Sequence, residues 1–304
     1  MATAQYYQFN DRACLTIGGE DRTSFLQGLV SNDVTKVSAA RAGYGAFLTP
    51  QGKFLHDFFL AEIGGGFVLD TEAERIDEFF RKLRLYKLRA KVDLALAGEA
   101  WQSLAVFGEG ALERLKVPAE RGAAIPFHGG VAFVDPRHVE IGARLLLPVA
   151  AGTEPLDALG LTPADRAAYD RRRVTLGLPD GARDMAVEKT VLLEAGFEEL
   201  GGVDFDKGCY MGQELTARTK YRGLVKRRLM PITLHGPLPA PGTEITLNGK
   251  EAGEIRSVVA DGNDHAIGLA MIRLNRLDEA LQAGIPLIAG EATVIPSKPD
   301  WAKF

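Results

Sequence analysis

Asp206-Lys207-Gly208-Cys209-Tyr210-Met211-Gly212-Gln213-Glu214, followed by Leu215-Thr216-Ala217-Arg218, brings a thiol, an ammonium, a carboxylate, an amide, a phenol and two glycines into one turn's worth of backbone. Gly208 and Gly212, four residues apart, permit tight or left-handed backbone. The run from Gln213 to Tyr221 is rich in helix formers, which puts Cys209 just before a helix start. Unpaired amide N–H groups and the helix dipole favour a thiolate there, and Lys207 and Arg218 add positive charge. The same residues also fit a plain loop whose cysteine is buried and inert, as most cysteines outside disulfides are. Chemistry alone leaves both readings open.

The 304 residues exceed a typical single domain, so two or three domains are expected. Hydrophobic content of 46% with 25% charged residues is ordinary for a soluble globular protein and argues against extended disorder. A net charge of −4 gives no global pull toward nucleic acid or an anionic membrane. Cys14 and Cys209 are the two cysteines, far apart and without a CxxC pair, which fits a reducing compartment and predicts no disulfide. The start, Met1-Ala2-Thr3-Ala4-Gln5-Tyr6-Tyr7, lacks a basic and then apolar leader pattern, and no stretch approaches the roughly 18 apolar residues of a membrane span. The expected location is cytoplasmic.

Working outward from the motif, strands are expected at Ala13–Ile17, Tyr44–Thr49, Phe54–Ile63 and Phe67–Leu69, with Gly64-Gly65-Gly66 closing a hairpin between the last two. Asp21 reads as the N-cap of a helix with Phe25, Leu26 and Leu29 on its apolar face. Ile76, Phe79, Phe80 and Leu83 repeat at helical spacing, with charged residues on the other faces. Further strands at Val92–Leu96, Ser103–Phe107, Val131–Val134 and Arg144–Leu147 make the middle of the chain α+β, of ferredoxin-like character. A proline- and glycine-bearing stretch from Pro148 to Pro163 reads as a linker, and Thr162-Pro163-Ala164-Asp165 as a helix start. In that helix Arg171-Arg172-Arg173 reads either as a solvated face or as a contact for an anionic ligand or partner. Beyond Leu229 the chain is β-rich, and Asn248-Gly249 marks a type I′ hairpin in a small barrel or sandwich.

Five scattered histidines and two cysteines supply no ligand set for zinc or an iron–sulfur cluster, so no metal is expected on the protein's own residues. Familiar hydrolase, nucleotide-triphosphatase and dinucleotide motifs are absent. Two carboxylates stand in apolar settings, Asp57 in Phe54-Leu55-His56-Asp57-Phe58-Phe59-Leu60 and Glu194 in Val191-Leu192-Leu193-Glu194-Ala195-Gly196. Each is either an outward-facing residue or a buried group that needs donors.

With these residues quoted, the chain resembles the folate-binding YgfZ family, relatives of the glycine cleavage T-protein, an aminomethyltransferase. Lys207-Gly208-Cys209-Tyr210-Met211-Gly212-Gln213-Glu214 matches the family's K-G-C-Y-x-G-Q-E throughout. Phe25-Leu26-Gln27-Gly28, Ser31-Asn32-Asp33-Val34, Leu48-Thr49-Pro50-Gln51-Gly52-Lys53 and Lys226-Arg227 support it. The resemblance implies a three-domain ring around a tetrahydrofolate site. Domain 1 would be discontinuous (1–50 and 150–228), domain 2 ferredoxin-like (51–149) and domain 3 a β-barrel (229–304). It makes Glu194 the partner of the pterin and Arg227 a ligand for the negatively charged glutamyl tail. Asp57 matches the second position of an Asp-Asp pair of T-proteins, with His56 in the first.

The function implied is support for assembly or repair of iron–sulfur clusters in other enzymes. Cys209 would be the working thiol, and Lys207 would lower its pKa or fix the loop. Tyr210, Gln213 and Asn32 would line the cofactor site. The alternatives are a folate-dependent aminomethyltransferase or related one-carbon transferase using Asp57 for proton movement, and a scaffold with a vestigial pocket. The expected partners are folate and iron–sulfur client or assembly proteins, with no membrane or nucleic acid, around a monomer.

Overall fold

The computed structural model describes residues 3–262 and 264–304. They divide into two compact units. Unit one comprises the residues through Pro50, Leu55–Tyr169 and Leu200–Gln213; unit two comprises Gln51–Phe54, Asp170–Glu199 and Glu214–Phe304.

Among the described residues, eleven strands precede residue 164: β1 (Gln5–Gln8), β2 (Arg12–Gly18), β3 (Gly43–Leu48), β4 (Phe54–Ile63), β5 (Gly66–Glu72), β6 (Asp93–Leu96), β7 (Trp101–Phe107), β8 (Ala124–Phe127), β9 (Gly130–Val134), β10 (Ala143–Pro148) and β11 (Thr162–Pro163). They form a five-stranded sheet in the order β3-β4-β5-β2-β6 and a six-stranded sheet in the order β11-β1-β7-β10-β9-β8. Residue 50 is not a sheet boundary. The β4–β5 hairpin leaves one edge of β5 open, and β2 fills it in antiparallel register, Leu15 opposite Leu69. Ile76–Lys87 is the expected amphipathic helix, burying Ile76, Phe79 and Leu83.

Unit one holds charge in its core. The guanidinium carbons of Arg12, Arg137 and Arg144 lie 5.5, 4.9 and 3.8 Å from the centre of the Phe59 ring. Asp70 pairs with Arg12 and Arg144, and Asp135 with Arg137 and Arg144, so the buried cations are met by carboxylates as burial requires.

Two sequence expectations fail between residues 162 and 173. Thr162-Pro163 does not start a helix but pairs in parallel with Gln5 and Tyr6. Proline has no N–H to lose on an edge strand, and the helix begins later, at Arg166, where Asp165 Oδ1 accepts the Ala168 N–H at 2.8 Å. Arg173 faces neither water nor a ligand. It is fully buried, donating to Asp170 at 2.6 Å, Asp184 at 2.7 Å and Ser257 at 2.9 Å.

Unit two carries a closed barrel of β12 (Arg227–His235), β13 (Glu244–Leu247), β14 (Lys250–Ala260), β15 (His265–Arg273), β16 (Leu287–Ala289) and β17 (Ala292–Pro296), in the order β12-β15-β14-β13-β16-β17. Asn248 and Gly249 join β13 to β14 with φ of 51° and 73°, the two positive values a type I′ turn requires. Ile232, Leu234, Ile245, Leu247 and Ile255 fill the interior. The fold is α+β with a C-terminal six-stranded barrel.

Candidate functional site

The motif loop is clamped in unit one onto the turn that follows the helix Arg22–Gln27. Lys207 Nζ donates to three backbone carbonyls, those of Gln27 at 2.9 Å, Val30 at 2.6 Å and Asn32 at 2.7 Å. An ammonium has three donors, and all three are used. Burial pulls this ammonium down to about 8, against the upward pull of Asp33 and Asp204. Of the two tasks expected of Lys207, the geometry shows loop fixation. Its Nζ also lies 5.2 Å from the centre of the Tyr210 ring, a cation–π contact.

The clamp continues on either side. Ser31 Oγ donates to Gly202 O at 2.6 Å, the Asp204 N–H to Ser31 O at 3.0 Å, and the Met211 N–H to Gly28 O at 3.1 Å. Gln27 closes its own turn by accepting from the Val34 N–H and donating to Asp33. Gly208 and Gly212 have φ of 93° and 82°, the left-handed backbone their spacing suggests.

Cys209 stands exposed at the tip of this turn, four residues ahead of the helix Gln213–Tyr221, whereas Cys14 is buried. Cys209 is therefore not the buried cysteine of the plain-loop reading. Tyr210 is buried, and its N–H donates to Gln213 Oε1 at 3.2 Å, so these two residues hold the turn. Asn32, expected against the cofactor, is committed to backbone instead. Its Nδ2 donates to Tyr44 O at 2.6 Å and Gly201 O at 2.8 Å, and its Oδ1 accepts the Asp33 N–H. The void beside Asn32 and Tyr44 is only about 10 Å³, room for a single water.

Asp57 does not face solvent. Both faces of β4 are covered along most of its length, so strand alternation exposes neither His56 nor Asp57. Asp57 Oδ2 accepts from Tyr44 OH at 2.8 Å, and the Tyr44 ring lies 5.3 Å from the Arg137 guanidinium. Tyr44 thus joins Asp57, through its phenol, to Asn32, through its carbonyl. Nothing in the sequence marked Tyr44 as this link. His56 lies flat on Phe79, centroids 4.5 Å apart and planes 7° apart. Burial drives its imidazolium pKa down to about 3, and Arg75 and Lys82 push the same way.

In unit two, the turn Leu192–Ala195 packs against β12 and brings Glu194 to Arg227. The pair is bidentate, Arg227 Nε to Oε1 at 2.9 Å and Nη2 to Oε2 at 3.0 Å. Glu194 Oε2 also accepts the Val191 N–H at 3.1 Å. The sequence expectation set these residues at opposite ends of an extended ligand. In the structure they pair with each other. Of the roughly four lone-pair positions on a carboxylate, three are taken, leaving one acceptor for an incoming donor. A second donor needs the guanidinium, about a third exposed, to swing aside.

Comparisons with known proteins agree on the family. Residues 226–304 match the model of the CAF17 C-terminal β-barrel domain. The mitochondrial iron–sulfur cluster assembly factor IBA57 of Homo sapiens is 31% identical over 97% of this chain and 84% of its own. The mitochondrial IBA57 homologue of Pyricularia oryzae is 32% identical over 95% of this chain and 77% of its own. Among solved structures, the glycine cleavage aminomethyltransferase T of Bartonella henselae superposes with a TM-score of 0.77 at 16% identity, covering 99% of this chain and 87% of that one. That likeness establishes the shared T-protein fold.

These relatives overturn the cytoplasmic expectation, because they are mitochondrial proteins. Scarce cysteines report a reducing environment and not which compartment provides it. No helix among the described residues is long and apolar enough to cross a membrane. At this identity and coverage the chain belongs to the IBA57/CAF17 (YgfZ-type) family of iron–sulfur cluster assembly factors.

Proposed function

We propose that this chain supports the assembly or repair of iron–sulfur clusters in partner proteins, with Cys209 as its working thiol. One observation carries the reading: the exposed cysteine sits on a turn that Lys207 ties to three carbonyls. A thiol held in place and open to solvent suits hand-over to a partner, and the iron–sulfur cluster assembly role of the relatives supplies the cargo. Cys209→Ala should leave folding intact and abolish rescue of iron–sulfur enzyme activity in a strain lacking the protein. Full rescue would sink the assignment.

We further propose tetrahydrofolate as the cofactor, taken by Glu194. The carboxylate beside Arg227 suits the amino and ring N–H groups of a pterin, once the guanidinium moves from its present bidentate position. Calorimetric titration with tetrahydrofolate should give saturable heat that Glu194→Gln removes; a flat titration of the wild-type protein refutes the cofactor. Asp57, buried against Tyr44, is assigned here to holding the fold and not to proton transfer.

A further inference from the structure

A second surface of unit one has features that neither the thiol nor the proposed cofactor uses. The helix Ile76–Lys87 buries one face but leaves Leu85 74% exposed, and Leu88, just past its end, is 87% exposed. Leu88 has φ of 43°, a left-handed backbone that a bulky residue adopts only under strain. Beside the helix runs β6, which pairs with β2 on one side and forms the edge of its sheet on the other. β6 also carries a half-exposed leucine, Leu96. A groove of about 400 Å³ opens here, lined by Ile17, Phe67, Leu94 and Trp101, with Lys87 and Asp93 at the same wall.

An exposed edge strand flanked by outward leucines is an aggregation hazard that proteins ordinarily blunt. The groove itself carries one cation and one carboxylate, Lys87 and Asp93, and the surplus of cations lies at the end of the helix beside it. Lys82 pairs with Glu78, and Lys91 with Glu20. Arg84, Lys87 and Arg89 have no carboxylate partner among the described residues, in a chain whose net charge is −4. A strand edge offers main-chain hydrogen bonds, the groove takes apolar side chains, and the unpaired cations select acidic ones.

We propose that this surface docks an extended segment of a partner protein in which acidic residues alternate with apolar ones, added as a strand along β6. A second copy of this chain fits poorly, because a two-fold contact would bring the same cations together. A lipid surface would engage leucines and cations but has no use for a strand edge or a concave groove.

Trp101 and Trp301 are the two tryptophans, so Trp301→Phe leaves Trp101 as a reporter inside the groove. The probe is a ten-residue peptide of alternating valine and glutamate, titrated while Trp101 emission is followed. Saturable binding is expected, at least tenfold weaker when lysine replaces glutamate, and lost when alternate amides are N-methylated. Combined Arg84→Glu, Lys87→Glu and Arg89→Glu should weaken it at least tenfold without changing the far-ultraviolet circular dichroism. Leu88→Gly should raise the melting temperature, by relieving the positive φ, while lowering peptide affinity. The proposal is overturned by any of the following: no saturable change, equal binding of the lysine peptide, undiminished binding of the N-methylated peptide, co-sedimentation with phosphatidylserine vesicles in place of peptide binding, or a dimer that Leu85→Glu dissociates.

Discussion

His56 should make this protein acid-labile as pH falls below 6.5. The imidazole is fully buried against Phe79, and neither ring nitrogen has a hydrogen-bond partner; Glu78 Oε2, at 3.9 Å from Nε2, is too far for one. Its pKa falls from 6.5 to about 3 on folding. The unfolded chain therefore takes up a proton first as pH drops. The stability this group contributes is complete above pH 6.5 and is lost progressively toward pH 3. At about 1.4 kcal/mol per pKa unit, the loss is about 2.7 kcal/mol by about pH 4.5 and about 5 kcal/mol at the lower limit. Asp135 does not confuse the window. Its pKa is lowered to about 2, as Arg137 and Arg144 outweigh the upward push of burial, so its contribution disappears only below 3.8. Urea unfolding of wild type and His56→Phe at about pH 7.5 and about pH 4.5, followed by circular dichroism, measures the difference. The phenyl ring keeps the stack on Phe79 and removes two unpartnered nitrogens. Wild type should lose about 2–3 kcal/mol between the two conditions and the variant under about 0.5 kcal/mol. An equal loss in both proteins refutes the reasoning, whatever the absolute stability of the variant.

Lys207→Met leaves three carbonyls without their donor and should speed amide hydrogen exchange across residues 204–212 by about tenfold or more, a net cost above about 1.5 kcal/mol; unchanged exchange would place the anchor elsewhere. Gly208→Ala meets no atom within 4 Å of the new Cβ, so its cost is that of the backbone at φ 93° alone, about 1–2 kcal/mol by thermal unfolding, and Gly208→Asn should cost less. Arg173→Met leaves Asp184 without its cation in the interior of unit two, while Asp170 keeps Arg183, and should cost about 3–5 kcal/mol by urea denaturation. Arg227→Gln should change the affinities for tetrahydrofolate and for tetrahydropteroate, which lacks the glutamyl tail, by the same factor; an effect confined to tetrahydrofolate would return Arg227 to the tail.

Alternation and helical spacing sufficed for β2, β4, β5 and the helix Ile76–Lys87, and Asn248-Gly249 announced its hairpin, because each signal is local. The burial of Arg173 is not legible because, besides Asp170 on its own helix, its partners lie further off in the chain, Asp184 eleven residues on and Ser257 eighty-four. A triplet of arginines looks solvated until those carboxylates arrive. The motif's glycines and lone thiol were legible as a turn, and the resemblance tied them to the Gln27–Asp33 segment. The grip of Lys207 was not legible, since its acceptors are backbone carbonyls, which every residue has. The sequence named Glu194 and Arg227 but not their pairing, which depends on how the turn at Leu192 packs on β12.

Closure of the barrel imposes an order on synthesis. β12 bonds on one side to β15 and on the other to β17, with Ile232 opposite Pro296. The ring cannot shut until the last strand has left the ribosome. Until then β12 presents a free edge to every neighbouring nascent chain, and a release before β17 is made leaves that edge open for good. Ribosome-stalled or frameshifted products ending before Ala292 should therefore be substrates for chaperones and proteases, even though nearly the whole of unit two has been made.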